Sequence, residues 1–383
     1  MPPIPNNFQQ VAVEGQWAET WDGGLFLSKR NALHEFLVFT TEDNIRKLAQ
    51  CRQIFMDGTF KTCPAPFVQF VTIHGFYMER ALPFVMVLMT GKTEEMYKAV
   101  LRHIKRRVQH VTGQRWMPNK VTTDFEMAMM EALRTELPTV RSSGCYFHFC
   151  QSLWRKVQEL GLSAPYRTNR RIKKWIRKAM AVGYLPLAVM RHNFRLMITS
   201  RLTRQLLRAY PQLGDFIQYM ERTYVRDNAI FPPAVWNVFA RGSDNRTNNR
   251  VEAFHRRWNA LMQRRHPSLW VFIRRLKDEQ RRTEGQCVMA ERGDPAPRQR
   301  RKWRHLEARL QRLRREYRRG DRTLDEYWLA VQHSIQVSIV PESYQYQRRV
   351  NPAYSAPSTR PERALAMSGK DVPRSTNPTA SYL

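Results

Sequence analysis

Three apolar segments follow one another between residues 52 and 89, and they restrict the fold more than any other feature. Ile54–Phe60, Phe67–Tyr77 and Ala81–Met89 are separated by short turns, which predicts three consecutive antiparallel strands. Thr93 then begins a predicted helix whose apolar residues recur at helical spacing, at Met96, Val100, Ile104 and Val108. A meander of strands followed by a helix excludes an all-helical protein.

The next segments alternate between strand and helix patterns. Val121–Thr123 is β-prone and ends at Asp124, and a helix follows at once with apolar residues at Met127, Met130, Leu133 and Leu137. A second apolar run, Cys145–Phe149, is expected as the last strand and leads into a helix with Leu153, Trp154 and Val157. The order β-β-β-α-β-α-β predicts an α/β protein with the mixed sheet of the RNase H-like fold.

Charge indicates the partner of this chain. The 383 residues include 64 Lys and Arg against 33 Asp and Glu, a net charge of +31. Such a surplus favours a polyanion, most often nucleic acid. No apolar run approaches the roughly 18 residues of a membrane span, so we expect no membrane association. Five scattered cysteines are typical of reduced thiols inside a cell.

Shifts in pattern divide the chain. We expect an N-terminal preface at 1–50 with a hairpin turn at Trp21–Gly24, a first part of the core at 51–150, an all-α insertion at 151–244, a last core helix at 245–285, basic C-terminal helices at 286–340 and a disordered tail at 341–383. Within the insertion, Arg167–Lys178 has seven basic residues and no acid, above an apolar face. It is either a solvated helix face or a surface that follows DNA phosphates.

Three acids stand out by their positions: Asp57 in an apolar strand, Asp124 at a strand end and Glu252 early in a helix. Each has a structural alternative, because Asp57 could form a turn, Asp124 an N-cap and Glu252 a capping box with Asn249. An ionised Asp57 among apolar residues is costly without a counter-charge. In an RNase H-like sheet the first and fourth strands are neighbours, so Asp57 and Asp124 would meet. Paired carboxylates suit Mg²⁺ or Mn²⁺, and two such ions can drive phosphoryl transfer.

Four ordered motifs carry a family resemblance: MDGTFKT, TTDFE, GCYFHFCQSLWRK and RTNNRVEAFHRRW. Over roughly residues 45–285 the chain resembles Mutator-like element (MULE) transposases, particularly animal members joined to FLYWCH zinc fingers. The resemblance implies a DDE transposase with Asp57, Asp124 and Glu252 as the metal-binding catalytic triad. It also implies that Cys145 and His148 form the C-x-x-H motif of the superfamily. No finger-type motif precedes the core in this sequence.

The same motifs suggest further site residues. Cys145, His148 and Cys150 could instead belong to a zinc site or simply pack the core, while we expect His148 to lie beside the metal ions. Arg246, Asn248 and Asn249 are candidates for contact with DNA. His255, Arg256 and Asn259 share the helical face of Glu252, either as site residues or as a solvated face. Arg171, Lys173 and Lys174 are the candidate DNA contacts of the insertion.

Three functions fit these patterns. The first is DNA cleavage and strand transfer in transposition, in the nucleus, with a homodimer or larger oligomer on DNA. The second is a domesticated or truncated remnant that binds DNA without cutting it. The third, from the fold alone, is a nuclease that acts on RNA. The RQRRKWR motif at residues 298–304 could serve nuclear entry.

Overall fold

A mixed sheet forms the centre of the protein. The computed structural model describes residues 1–59, 62–241, 249–262, 266–298 and 301–335, without the side chains of residues 249, 250 and 252. Within these ranges the sheet contains seven strands: β1 (Leu27–Asn31), β2 (Phe36–Phe39), β3 (Gln53–Thr59), β4 (Gln69–Tyr77), β5 (Arg80–Met89), β6 (Lys120–Thr123) and β7 (Arg141–Gly144). Their order across the sheet is β1-β2-β5-β4-β3-β6-β7. The pairs β3–β6 and β6–β7 are parallel and the other pairs are antiparallel.

The central strands are apolar on both sides because both faces of the sheet are covered. Val85 and Val87 of β5 face one core, and Met86 and Leu88 face the other. The first core is closed by α1 (Glu42–Gln50), α2 (Glu94–Thr112) and α3 (Met127–Glu136), and the second by α11 (Asn249–Met262) and α12 (Leu269–Glu291). The predicted three-stranded meander and the helix that follows Thr93 are confirmed, and the Thr93 side chain accepts a hydrogen bond from the Met96 amide.

A second, helical layer has its own core. It is built from α4 (Tyr146–Glu159), α5 (Ser163–Thr168), α6 (Arg170–Ala181), α7 (Leu187–Thr199), α8 (Arg201–Ala209), α9 (Leu213–Met220), α10 (Pro233–Trp236), α13 (Arg301–Arg319) and α14 (Leu324–Ser334). The predicted apolar face of α6 is buried here, with Ile172, Ile176 and Ala179 fully covered. Residues of the basic α13 and of α14 join the same core. The C-terminal helices therefore pack on the helical region.

Two details of the secondary structure differ from expectation. The last strand ends at Gly144, and Cys145 is the N-cap of α4, so the strand expected at Cys145–Phe149 is wrong. Phe149, Leu153 and Val157 recur every four residues and bury one helix face, which outweighs the β propensity of the aromatic run. At the N-terminus, the turn near Gly23 is closed by hydrogen bonds between Thr20 and Gly24 and by an isolated bridge between Glu19 and Leu25, without flanking strands. The strands β1 and β2 come later.

Other expectations fall on parts of the chain outside the described residues. These are the positions of Arg246 and Asn248, the side chains of Asn249 and Glu252, and the tail at 341–383. The domain boundaries also remain predictions, although the described residues all belong to one compact unit, Met1–Val340. None of the helices in the described ranges is both long and apolar enough to cross a bilayer.

Candidate active site

Asp57 lies in β3, and Asp124 directly follows the neighbouring parallel strand β6. Met56 of β3 pairs with Thr123 of β6, so each acid is the residue that follows a paired position. Asp57 is 4% exposed. The sheet therefore brings two carboxylates that are distant in sequence to the same place.

Asp124 is not a helix cap. Helix α3 begins at Met127, its N-cap position is Glu126, and no side chain caps it. Within the described residues, the buried Asp124 Oδ1 has no hydrogen-bond partner. The N-cap role of this acid is thus excluded, and no hydrogen bond from a described residue to its Oδ1 would compete with another group.

The electrostatics of this pair are unfavourable for two negative charges. Burial, followed by the charge of Asp57, raises the pKa of Asp124 to about 7, while His148 opposes the shift. A carboxyl group with such a pKa is poised between its protonated and ionised forms near neutrality. A cation at this point would favour the ionised form.

His148 supplies part of the missing positive charge. It lies in the first turn of α4, three residues after Cys145. Burial lowers its pKa, but Asp57, a hydrogen bond with Cys145 and Asp124 together outweigh burial and raise the pKa well above its ordinary value. The structure therefore places the C-x-x-H pair beside the two acids, with His148 favouring the imidazolium form.

Helix α11 brings His255 to the same acids. His255 Nε2 lies 3.4 Å from Asp57 Oδ2, and both side chains are largely buried. Burial lowers the pKa of His255, and the nearby His148 lowers it further, while the charge of Asp57 partly offsets this decrease. Glu252 precedes His255 by one helical turn in α11, but its side chain lies outside the described residues. Among the described side chains, no group of three or more His, Cys, Asp or Glu residues could hold a metal ion.

The predicted DNA-contacting residues that the structure describes lie outside the acid cluster. Arg256 and Asn259 are exposed on α11, and Arg171 and Lys174 are exposed on α6. Lys173 is half-buried, with its Nζ 5.8 Å from the centre of the Tyr166 ring. Their role in binding DNA stays a prediction.

Two features near the acids were missed by reasoning from sequence. Tyr97 Oη donates a hydrogen bond to Glu126 Oε1 at 2.7 Å, which holds a third acid near Asp124. Burial raises the pKa of Glu126, and the bond from Tyr97 lowers it. Glu126 belongs to the TTDFE motif, and its position two residues after Asp124 is the sequence signal that could have identified it. Arg241 donates to the Gly144 carbonyl at 2.8 Å and ties the helical layer to the end of β7, and no motif marks that bond.

A family model matches the part of the chain that carries the two aspartates of this site. Residues 53–152 match the MULE transposase domain. The match runs from β3 into α4 and includes Asp57, Asp124, Cys145 and His148. It supports the resemblance to the MULE family, and a transposase domain implies interaction with DNA. No curated protein matches the chain.

Proposed function

We propose that this protein is a MULE-type DDE transposase that cuts and joins DNA with Asp57, Asp124 and Glu252. One observation carries the proposal: Asp57 of β3 and Asp124, which directly follows the adjacent parallel strand β6 and has a buried Oδ1 without a hydrogen-bond partner among the described residues, lie inside the segment that matches the MULE transposase domain. If β3 is taken as the first strand of the core, β6 is the fourth. These two strands are neighbours in the sheet, as an RNase H-like sheet requires. The helical layer would then be the insertion before the last acid.

The donor groups suit a hard divalent cation. Asp124 Oδ1 is buried without a hydrogen bond among the described residues, and burial together with Asp57 raises the pKa of Asp124. Carboxylate oxygens are the ligands that Mg²⁺ and Mn²⁺ prefer. Two bound ions would activate a water or a 3′-hydroxyl and stabilise the leaving oxygen. Asp57 and Asp124 would hold them, with Glu252 as a third donor.

The surrounding residues would position these carboxylates. His255 packs against Asp57, with its Nε2 3.4 Å from Asp57 Oδ2. His148, which favours the imidazolium form, can donate a hydrogen bond to a phosphate oxygen or to either acid. Tyr97 fixes the orientation of Glu126 near Asp124 by its hydrogen bond. Each of these residues would thus hold a carboxylate oxygen in place or supply a hydrogen-bond donor.

Basic and amide side chains outside the acid cluster would bind the DNA backbone. Arg171, Lys173 and Lys174 are candidates on α6 and Arg256 is a candidate on α11, while Arg246, Asn248 and Asn249 are candidates from the sequence alone. Because the net charge is +31, binding should weaken steeply as salt rises. We extend the proposal to nuclear localisation and to a homodimer or larger oligomer on two DNA ends.

Nicking of supercoiled plasmid at low salt in Mg²⁺ or Mn²⁺ tests this function. We expect nicks from the unaltered protein, none from Asp124→Asn, and normal nicking by Asp227→Asn, which changes an acid whose side chain is 90% exposed. Substrates that carry candidate terminal repeats should be included. If the folded protein binds DNA tightly but neither it nor the control nicks any substrate, the protein is instead a DNA-binding remnant. A preference for RNA-containing duplex would instead indicate a nuclease that acts on RNA.

A further inference from the structure

A cavity of about 490 Å³ lies beside α11, outside the acid cluster. Its walls come from the turn and first residues of β5, from α11, from α12 and from the segment that leads into α13. Small-molecule sites typically occupy about 300–1,000 Å³, so this volume suits a single ligand of modest size. The proposed cleavage mechanism does not use it.

The lining of this cavity is strongly basic. It includes two glutamates, Glu79 and Glu279, and Glu279 is paired with Arg257. Against these two acids it includes five arginines: Arg80, Arg256, Arg257, Arg282 and Arg298. An excess of arginine favours an anionic ligand, because guanidinium groups bind phosphate or carboxylate oxygens in defined geometry.

Buried donors of the lining lack partners. Thr283 is 1% exposed and Arg80 is 5% exposed. The Arg80 Nη atoms donate to the carbonyls of Asp294 and Pro295. Within the described ranges, however, Arg80 Nε, Thr283 Oγ1 and Arg257 Nε have no hydrogen-bond partner. Unpartnered buried polar atoms are costly and uncommon, and three of them belong to residues that line this cavity, which favours a ligand that carries acceptor oxygens.

Aromatic residues complete the lining. Phe254 is buried on α11 and Trp303 is half-buried on α13, and both line the cavity. Nucleobases stack on such rings without strong sequence preference. We propose that this cavity binds a nucleotide, with the base against Phe254 or Trp303 and the phosphate on the arginines and Thr283. The nucleotide can come from free solution or from a DNA strand.

A ligand in this cavity would also contact the helix that reaches the acid cluster. Phe254 and Arg257 of α11 line it, while His255 of the same helix contacts Asp57. A nucleotide in the cavity would therefore anchor the helix that also carries Glu252. Binding itself requires no cleavage, so its test is independent of the nicking assay.

Titration calorimetry with dAMP, near 0.15 M salt, tests the free-nucleotide source. We expect one saturable site per chain, with weaker binding of adenosine and of inorganic phosphate because each lacks half of the contacts. Arg282→Gln should weaken dAMP binding about tenfold or more, since it removes a charge-assisted hydrogen bond, and Thr283→Val should also weaken it. Arg281→Gln is the matched control, because it removes the same charge one residue away, outside the lining.

A DNA duplex that contains 2-aminopurine tests the other source, because the fluorescence of this base changes when it leaves the stack of the duplex. A fluorescence change that Arg282→Gln abolishes and Arg281→Gln preserves would assign the nucleotide to DNA. Two results would overturn the proposal: no saturable dAMP binding together with no Arg282-dependent fluorescence, or binding that neither Arg282→Gln nor Thr283→Val changes. Inorganic phosphate that binds as tightly as dAMP would reject a base pocket.

Discussion

Asp124→Asn should stabilise the metal-free protein, although it should abolish its proposed activity. The Asp124 carboxylate is next to Asp57, and its buried Oδ1 lacks a hydrogen-bond partner among the described residues. An amide of the same shape removes one of the two negative charges. Sites that assemble like charges for function are costly to the fold when their counter-ion is absent.

The sign and size of the effect follow from the pKa of Asp124. Burial and Asp57 raise it from 3.8 to about 7, so the folded state holds this proton more tightly than the unfolded state. Stability is therefore lost as pH rises from about 4 to about 7, and the full cost remains above that range. At about 1.4 kcal/mol per pH unit the upper limit is roughly 4 kcal/mol, and we expect about 2–3 kcal/mol after relaxation and partial solvation.

Urea unfolding in a chelator at pH 8 and at pH 5.5 measures this difference. The variant should be more stable by about 2–3 kcal/mol at pH 8, and its advantage should be smaller at pH 5.5 by up to about half. Asp227→Asn, at an exposed acid, should show no such pH dependence. Added Mn²⁺ should raise the unfolding midpoint of the unaltered protein and not that of Asp124→Asn. A variant that is equally or less stable at pH 8 would refute the proposed charge repulsion.

Two further perturbations test how the site is supported. Gly144→Ala would place a methyl group against the ring of Phe125, so we expect a loss of roughly 1–3 kcal/mol in urea unfolding and weaker nicking. Gly285→Ala, in open space on α12, is the control and should be neutral or slightly stabilising. Burial, aided by nearby basic residues, lowers the pKa of His103 from 6.5 to about 4. As pH falls, His103 is therefore protonated in the unfolded state before it is protonated in the folded state. The stability of the fold should decrease as pH falls from 6.5 to about 4. His103→Gln should remove up to about 3 kcal/mol of that dependence; unchanged pH profiles would contradict it.

Local patterns were sufficient for much of the fold. The strands β3, β4 and β5 are visible in sequence because both faces of each are buried and apolar, and α6 is visible because its buried residues recur at helical spacing. The aromatic run after Gly144 was misassigned because residues that favour strands also fill a buried helix face. Propensity alone does not separate these cases, since tertiary packing overrides it.

For the candidate site, the sequence determined which acids were available and the tertiary structure decided how they are used. Asp124 has the residue type and position of a helix cap, and only the start of α3 at Met127 excludes that role. The contact between His255 and Asp57 exists because α11 packs across the sheet from a distant part of the chain. The cavity beside α11 likewise needs four separate segments. Residue chemistry is local and can be read from sequence, but proximity is a property of packing, and packing joins residues that no short spacing connects.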